Sequence, residues 1–425
     1  MKLHTLCLSL FAMCLGICPA SHAQKQCEIF TTHSEQDVPY RIPAIAALPD
    51  GTVICVADYR WSGADIGLVK DGRIDLMMRI SRDNGQSWEH PFALIEGKGA
   101  QSSDFMNVAY GDPCIVADRE SSKVLIMSCA GNMSFLDGTR GLHQGIARFY
   151  SNDGGRSWSR PDDISESIYR LFDKGRFGPA RSMFIASGRI FQSRYIRKGR
   201  YYRLYCAVLQ QIENGDRMNF VLYSDNFGQS WKVLGGVDNP PIEKGADEAK
   251  VEELPDGSIL ISSRTDSNGR NFNIFRFTNA RRAEGSWGKM AHSGQENGGV
   301  HSERNACNGE LMLLPVTRRS DGREMHLLLQ SIPLGPGRSN VGIYYKGLEF
   351  EEQFSSPEHI ARDWEGSYLI TEENSAYSTM ALQSDGSIGF LYEECTYFRS
   401  WTGYTIVYKG LGVEEISAGK YSLRN

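Results

Sequence analysis

The stretch Asp50–Ala57, DGTVICVA, is a tight turn followed by an apolar strand, and it decides the fold because it recurs. Similar stretches stand at six places: DGTVICVA from Asp50, SSKVLIMS from Ser121, SGRIFQSR from Ser187, DGSILISS from Asp256, NGELMLLP from Asn308 and DGSIGFLY from Asp385. Their second residues are 52 to 77 positions apart, which is room for four strands and their loops. Regular all-β repeats of this length are typical of propeller blades. The pattern predicts an all-β fold, a six-bladed β-propeller.

A second repeat supports that interpretation independently. SRDNGQSW from Ser81, SNDGGRSW from Ser151 and SDNFGQSW from Ser224 share Ser-x-Asp/Asn-x-Gly-x-x-Trp. An Asp or Asn two places before Gly favours a tight turn, over which the Trp can pack. We therefore predict that these boxes stabilise turns and have no catalytic role.

The first 23 residues have the features of a secretory signal. Lys2 precedes the apolar run 6–17, and Ser21, His22 and Ala23 are small or polar residues suited to cleavage. The run is too short for a membrane-spanning helix. A lipid anchor through Cys18 is the alternative, disfavoured by the bulky Ile17. We expect one propeller domain over 24–425, exported to the periplasm, the cell surface or the medium.

Composition excludes several classes of function. The formal net charge is −5, which disfavours a nucleic-acid partner. No later segment is apolar enough to span a membrane. The ten cysteines include no CxxC pair, so neither a zinc site nor a disulfide framework is predicted. An arginine cluster could still make one cleft of an acidic protein positive.

Charged residues recur at similar distances before and after the turns of the first repeat. If each turn joins two antiparallel strands, such residues lie at the far end of the hairpin, and the far ends of inner strands meet around the propeller axis. A single charge of this kind would be a surface salt bridge. Six charged residues and one tyrosine at matching positions predict a binding pocket: Arg41, Arg60, Asp112, Glu248, Arg264, Glu393 and Tyr377.

The chain resembles the bacterial sialidases of glycoside hydrolase family 33. The residues that carry the resemblance are YRIP at Tyr40, the Ser-x-Asp-x-Gly-x-x-Trp boxes, DEAKVEELPDGSILISSR at Asp247 and SAYSTMALQSDGSIGFLYEE at Ser375. Members of that family remove terminal sialic acid from glycoproteins, glycolipids or oligosaccharides. The resemblance implies the same substrates here and no metal or organic cofactor.

The resemblance also implies a role for each candidate residue. Arg41, Arg264 and Arg338 would bind the sialic acid carboxylate, and Glu393 would hold Arg41, with its neighbour Glu394 as the alternative. Arg60 and Asp112 would contact polar substituents of the sugar. Tyr377 and Glu248 would form the catalytic pair, and Asp65 the general acid and base. Asp58 and Asp71 are the acids near Asp65 that are read as structural, and Trp61, Met133 and Phe135 are candidates for an apolar N-acetyl pocket.

These roles are chemically consistent. A guanidinium presents a planar fork to a carboxylate, and three can satisfy both of its oxygens. The anomeric carbon of sialic acid bears its own carboxylate, which would repel an Asp or Glu nucleophile, whereas a phenol approaches without charge. A phenol has a pKa near 10 and needs a base to take its proton. Sialidases with a tyrosine nucleophile depart from the two-carboxylate pattern of most glycosidases.

Two alternatives to a hydrolase remain. A trans-sialidase, inter- or intramolecular, would use the same residues with a different acceptor. A propeller lectin would bind sialylated glycans without cleaving them. A lectin needs the arginines but not the combination of Tyr377, Glu248 and Asp65, so the enzyme is favoured.

Overall fold

The computed structural model describes residues 26–34, 37–185, 187–304, 306–395 and 403–424. The predicted signal sequence at 1–23 lies outside this range. The described residues form six mostly antiparallel sheets arranged as blades. The six-bladed β-propeller predicted from the sequence is confirmed.

The first strand, β1 (Gln26–Phe30), belongs to the last blade. The other strands follow in chain order. Blade 1 contains β2 (Tyr40–Ala47), β3 (Val53–Arg60), β4 (Ile74–Ser81) and β5 (Phe92–Ile95). Blade 2 contains β6 (Tyr110–Ala117), β7 (Val124–Ala130), β8 (Gly145–Ser151) and β9 (Asp162–Asp163). Blade 3 contains β10 (Ser182–Ile185), β12 (Phe191–Lys198), β13 (Tyr201–Gln211), β14 (Arg217–Ser224) and β15 (Lys232–Val233), while β11 (Gly188–Arg189) pairs in parallel with β6.

Blade 4 contains β16 (Ala246–Glu253), β17 (Ile259–Thr265), β18 (Arg270–Asn279), β19 (Glu284–Trp287) and β20 (Ala291–Ser293). Blade 5 contains β21 (Leu311–Arg318), β22 (Arg323–Pro333), β23 (Val341–Leu348) and β24 (Gly366–Leu369). Blade 6 contains β25 (Asn374–Leu382), β26 (Ile388–Cys395) and β27 (Thr405–Leu411), and β28 (Tyr421–Leu423) returns to pair with β21. Because β1 pairs with β27, blade 6 joins the first described strand to three strands near the end of the chain and closes the ring.

Helices are short and lie in connections. The α-helices are α1 (Ser165–Tyr169), α2 (Pro357–Ala361) and α3 (Val413–Ile416), and the 3₁₀ turns are Gly99–Gln101, Phe105–Asn107, Ala280–Arg282, Gln295–Asn297 and Glu351–Phe354. Within the described ranges, no helix has the length and apolarity that crossing a bilayer requires.

The core is divided among the interfaces between neighbouring blades. Each strand has two faces, and in a propeller the faces of adjacent sheets bury one another. In the described part of the chain, each of the six interfaces has its own apolar cluster; pairs that represent them are Met78 with Phe149, Met127 with Phe220, Tyr205 with Phe275, Phe272 with Leu328, Leu327 with Phe390, and Leu391 with Val53. This ring of clusters gives the inner strands a rigid support.

The Ser-x-Asp-x-Gly-x-x-Trp boxes form turns between the last two strands of blades 1 to 3, as predicted. In the first box, the Ser81 hydroxyl accepts the Gly85 N–H (2.8 Å), and the Asp83 carboxylate accepts the Ser87 N–H (2.8 Å). The boxes at Ser151 and Ser224 repeat both bonds.

Two of the six repeated stretches do not contain the hairpin turn that the sequence predicted for them. In blade 3 the hairpin turn is at Gly199, between β12 and β13, while Gly188 lies in β11. In blade 5 the turn is at Gly322, between β21 and β22, while Gly309 precedes the inner strand. Both errors arise because a Gly before an apolar run looks the same whether it ends a hairpin or begins a strand.

Candidate active site

A cavity of about 330 Å³ opens where the inner strands of several blades begin. It is bordered by the first residues of β2, β6, β16 and β25, and by the loops that follow β3 and β7. Its lining includes seven of the nine predicted site residues: Arg41, Asp65, Asp112, Glu248, Arg264, Arg338 and Tyr377. The structure thus brings together residues that are up to 336 positions apart in the chain, from Arg41 to Tyr377.

Four inner strands carry an irregularity at the cavity end. The pairing register shifts between Arg41 and Ala44 in β2, between Gly111 and Cys114 in β6, between Ala246 and Ala249 in β16, and between Ser375 and Ser378 in β25. A β-bulge turns a side chain away from the alternation of the strand. Asp112, Glu248 and Tyr377 all lie inside these bulges, which direct them to the cavity.

Glu393 lies behind the cavity and joins two blades. Its fully buried carboxylate accepts hydrogen bonds from Arg41 Nε (2.8 Å), the Ile42 N–H (2.7 Å) and the Tyr377 N–H (3.1 Å). The β2 bulge, where Ile42 has φ +54°, makes the Ile42 N–H available to the carboxylate. Glu393 therefore fixes both the first arginine and the backbone that carries Tyr377.

Tyr377 and Glu248 form a hydrogen-bonded pair in the cavity. The tyrosine hydroxyl lies 2.8 and 3.0 Å from the two Glu248 carboxylate oxygens and donates its proton to them. Arg264 Nη1 donates to the same carboxylate at 3.1 Å. Burial raises the pKa of Glu248 and, together with the Glu248 charge, raises that of Tyr377 well above its usual value. The Arg264 charge opposes both shifts, because it stabilises the phenolate of Tyr377 as well as the carboxylate of Glu248.

Two guanidinium groups face the Tyr377 ring, and a third contacts the carboxylate that the Tyr377 hydroxyl binds. The Arg41 and Arg338 guanidinium carbons lie 5.8 and 5.9 Å from the ring centroid, and Arg264 reaches the tyrosine's base, Glu248. Three cations around one cavity repel each other unless an anion lies among them. Their planar forks suit a carboxylate.

Asp65 belongs to a group of acids around Arg60. The Arg60 guanidinium contacts Asp58 (2.7 Å), Asp112 (3.5 Å) and Asp65, and the Asp112 N–H donates to Asp58 (2.9 Å). Burial raises the pKa of Asp58 to about 6 and that of Asp112 well above its usual value. Arg60 instead lowers the pKa of Asp65, whose side chain is 59% exposed.

The contact of Arg60 with the sugar stays a prediction, and the structure shows which groups Arg60 contacts in the free protein. Arg60 is 1% exposed and does not line the cavity among the described residues; it lies behind the cavity wall. The Arg60 guanidinium contacts three carboxylates, so its observed role is to hold Asp65, Asp58 and Asp112. Asp58, read from the sequence as a structural acid, is one of these partners.

Several lining residues were missed from the sequence. Arg217 and Asp247 line the cavity and contact each other at 3.2 Å, and Asp247 also lies 3.8 Å from Arg264 Nε. Adjacency to Glu248 in the sequence was the available signal for Asp247. No comparable signal marked Arg217, at the start of β14.

One wall of the cavity is apolar. It is formed by Ile66, Leu68, Phe135, Leu136, Phe184 and Leu209. Phe135 was a candidate for this wall. The other two candidates lie elsewhere in the described structure: neither Met133 nor Trp61 lines the cavity, and the Trp61 indole donates to Asp75 (2.8 Å). In the described part of the chain, no cluster of His, Cys, Asp and Glu has the arrangement of a metal site.

Comparison with known proteins places this geometry in context. A family described as BNR/Asp-box repeat matches residues 149–160, the second turn box. A sialidase of Micromonospora viridifaciens is 26% identical over 377 residues, which cover 85% of this chain and 50% of the relative. A sialidase of Paraclostridium sordellii is 25% identical over 235 residues, 55% of this chain and 54% of the relative. The chain therefore spans about half the length of these relatives.

Solved structures share the fold. The intramolecular trans-sialidase from Ruminococcus gnavus, in complex with oseltamivir carboxylate, superposes with a TM-score of 0.69 at 17% identity, covering 92% of this chain and 98% of that one. The Trypanosoma rangeli sialidase in complex with the inhibitor DANA gives a TM-score of 0.64 at 17% identity, covering 93% and 61%. At this identity the structural likeness establishes the propeller alone, and the sequence matches confirm the resemblance to bacterial sialidases.

Proposed function

We propose that this chain, which is similar in sequence to bacterial sialidases and shares their propeller, is an exo-α-sialidase that hydrolyses terminal sialic acid from glycans. The observation that carries the proposal is the Tyr377 hydroxyl, bonded to both oxygens of Glu248, in a cavity bordered by Arg41, Arg264 and Arg338. A lectin has no use for a buried phenol paired with a base.

Substrate binding uses the positive side of the cavity. The sialic acid carboxylate accepts hydrogen bonds from the three arginines and relieves their mutual repulsion. Since this carboxylate is attached to the anomeric carbon, its position also brings that carbon close to Tyr377. The apolar wall is suited to the N-acetyl methyl group.

Glycosylation is the first chemical step. The Tyr377 oxygen attacks the anomeric carbon while its proton passes to Glu248. The bond from that carbon to the leaving oxygen breaks, and Asp65 donates a proton to this oxygen. The products of the step are a tyrosyl sialoside and the released aglycone.

Asp65 must be protonated for this step, although Arg60 favours its charged form in the free protein. The Asp65 side chain is 59% exposed, and we expect a bound aglycone to cover it. Loss of solvent raises the pKa of a carboxyl group. Binding of the complete substrate therefore moves Asp65 towards the acid form.

Hydrolysis of the intermediate completes the reaction. Asp65, now ionised, takes a proton from water, whose oxygen attacks the anomeric carbon. The Tyr377 oxygen leaves and recovers its proton from Glu248. Two displacements at one carbon retain its configuration.

A fluorogenic sialoside assay tests the proposal. We expect release of the fluorophore by the parent protein, and sialic acid as the second product. Binding of the sialoside without release would instead favour a lectin. Mass spectrometry of the sugar product separates hydrolysis from transfer, since a trans-sialidase yields a new sialoside or an anhydro sugar.

Export is part of the proposal and is tested separately. If residues 1–23 are a signal sequence, the mature protein isolated from its host begins near Gln24. A mature protein that begins at Cys18 and carries lipid would favour the anchored alternative.

A further inference from the structure

The proposed acid, Asp65, lies in a loop that depends on a neighbouring blade for its position. The loop connects β3 to β4 in blade 1 and contains residues 61–73. Within it, the Leu68 N–H donates to the Asp65 carbonyl (3.2 Å), so that residues 65–68 form one turn. A movement of this turn moves Asp65 with it.

Gly67, the third residue of this turn, presses against the backbone of blade 2. A β-carbon at this position would lie 2.2 Å from the Ser134 nitrogen and 2.4 Å from the Met133 carbonyl carbon. Real β-carbons do not approach backbone this closely, so any side chain would push the two loops apart. The φ of Gly67 is also +74°, a conformation that other residues adopt at a cost.

A pair of side chains joins the same two loops at a second point. Asn132 Nδ2 donates to the Asp71 carboxylate (2.7 Å), and Asn132 Oδ1 accepts the Asp71 N–H (3.2 Å). Asp71 has φ +52°, which Asp and Asn tolerate better than most residues. Asp71, which the sequence identified as a structural acid, thus links the Asp65 loop to blade 2.

The buried side chain of Ile66 provides a third point. It is 2% exposed and packs with Ile74, Ala109 and Cys129. Asp65 is thus an exposed member of a turn whose next two residues are both fixed against protein. The contact with Arg60 orients its carboxylate, but the backbone position comes from these neighbours.

We propose that Gly67 and the Asp71–Asn132 pair are positioning residues for Asp65, which keep its carboxyl group within reach of the leaving oxygen. The inference rests on the proposed function. General acid catalysis requires hydrogen-bond distance to the proton acceptor, and a misplacement of about 1 Å can reduce a rate about 10²-fold. Displacing the turn should therefore impair the step that Asp65 assists more than binding by the arginines.

The test compares two leaving groups in single-turnover glycosylation. Sialyllactose releases a basic sugar alkoxide that needs a proton, whereas an aryl sialoside releases a phenolate that needs little help. We expect Gly67→Ala and Asn132→Ala to lose at least about tenfold in rate on sialyllactose and less than about threefold on the aryl sialoside. Asp71→Asn, which retains an acceptor for Asn132 Nδ2 and tolerates the positive φ, should keep the parent's ratio between the two substrates.

Gly63→Ala is the matched control for Gly67→Ala. Gly63 lies in the same loop at φ +73°, but a β-carbon there would meet nothing within 4 Å. The Gly63→Ala substitution introduces similar backbone strain without the contact, so it should leave the ratio of the rates on the two substrates unchanged. Thermal unfolding of every variant shows whether a loss of rate reflects loss of the fold.

The outcomes separate the inference from the proposed function. A parent protein that cleaves neither substrate refutes the proposed function and the inference with it. A parent that cleaves both, with equal losses on the two substrates in Gly67→Ala and Asn132→Ala, overturns the inference alone. The same ratio change in Gly63→Ala would also overturn it, because strain rather than contact would then be the cause.

Discussion

Replacing Glu393 by Gln tests whether the arginine cluster depends on one buried carboxylate. The substitution preserves shape and removes one charge. Glu393 Oε1 accepts from Arg41 Nε (2.8 Å) and the Ile42 N–H (2.7 Å), whereas Oε2 accepts the Tyr377 N–H (3.1 Å). A Gln whose oxygen takes the first position places its amide group against the Tyr377 N–H, so that two donors face each other.

The expected cost follows from these contacts. Breaking a buried ion pair by removing one partner costs about 3–5 kcal/mol. Because the Gln oxygen can still accept two of the three bonds, we expect a loss near the lower end, about 3 kcal/mol. That is about a 100-fold change in the folding equilibrium. Catalytic efficiency should also fall, since Arg41 and the Tyr377 backbone lose their common anchor.

Glu394→Gln is the matched control. This neighbouring residue is less buried and accepts the Tyr392 hydroxyl at 3.1 Å, away from the arginines. Thermal unfolding and kcat/KM on a fluorogenic sialoside should change strongly in Glu393→Gln and little in Glu394→Gln. The reverse result would refute the assignment of Glu393 as the partner of Arg41.

Further predictions concern the acids and the first arginine. Arg41→Ala should raise KM and reduce transition-state stabilisation, measured from kcat/KM, by about 3 kcal/mol or more, with a smaller effect on stability. Near-normal kinetics would show that Arg41 has a structural role. Asp65→Ala should lose about 10²–10⁴-fold on sialyllactose but much less on an aryl sialoside in single-turnover glycosylation; equal losses would exclude it as the acid. Folding raises the pKa of Asp58 from 3.8 to about 6 and that of Asp112 well above its usual value, so the protonated forms favour the folded state at low pH. This stabilisation is lost as the pH rises, for Asp58 through about 6. Asp112→Asn, which removes one of these charges, should therefore raise the melting temperature more at pH 7.5 than at pH 4.5, and an equal change at both would contradict the pKa shifts.

The blade count could be predicted because turn residues and apolar strands repeat. The turns of blades 3 and 5 could not be located, because Gly188 and Gly309 precede apolar runs just as hairpin glycines do. The interruption of the inner strand of blade 3, where β11 pairs with β6, has no local signature in the sequence.

The sequence identified most of the site residues, but it did not predict how their side chains are directed. The distances from each turn brought Arg41, Glu248 and Tyr377 to one face, and the family resemblance added Arg338 and Asp65. The bulges that direct Asp112 and Glu248 into the cavity depend on tertiary pairing and were not predictable. The contacts of Arg60 with Asp58, Asp65 and Asp112 were not predictable for the same reason.

Covalent labelling with a fluorinated sialosyl donor tests the central claim most directly. Such a donor forms the glycosyl intermediate but slows its hydrolysis, so that the modified residue can be found by peptide mass spectrometry. We predict one sialosyl group on Tyr377 in the parent protein and none in Tyr377→Phe, which keeps the ring and should keep the fold. Label on Glu248 would reverse the roles of the pair, and rapid turnover of natural sialosides without a label on Tyr377 would contradict the proposed mechanism.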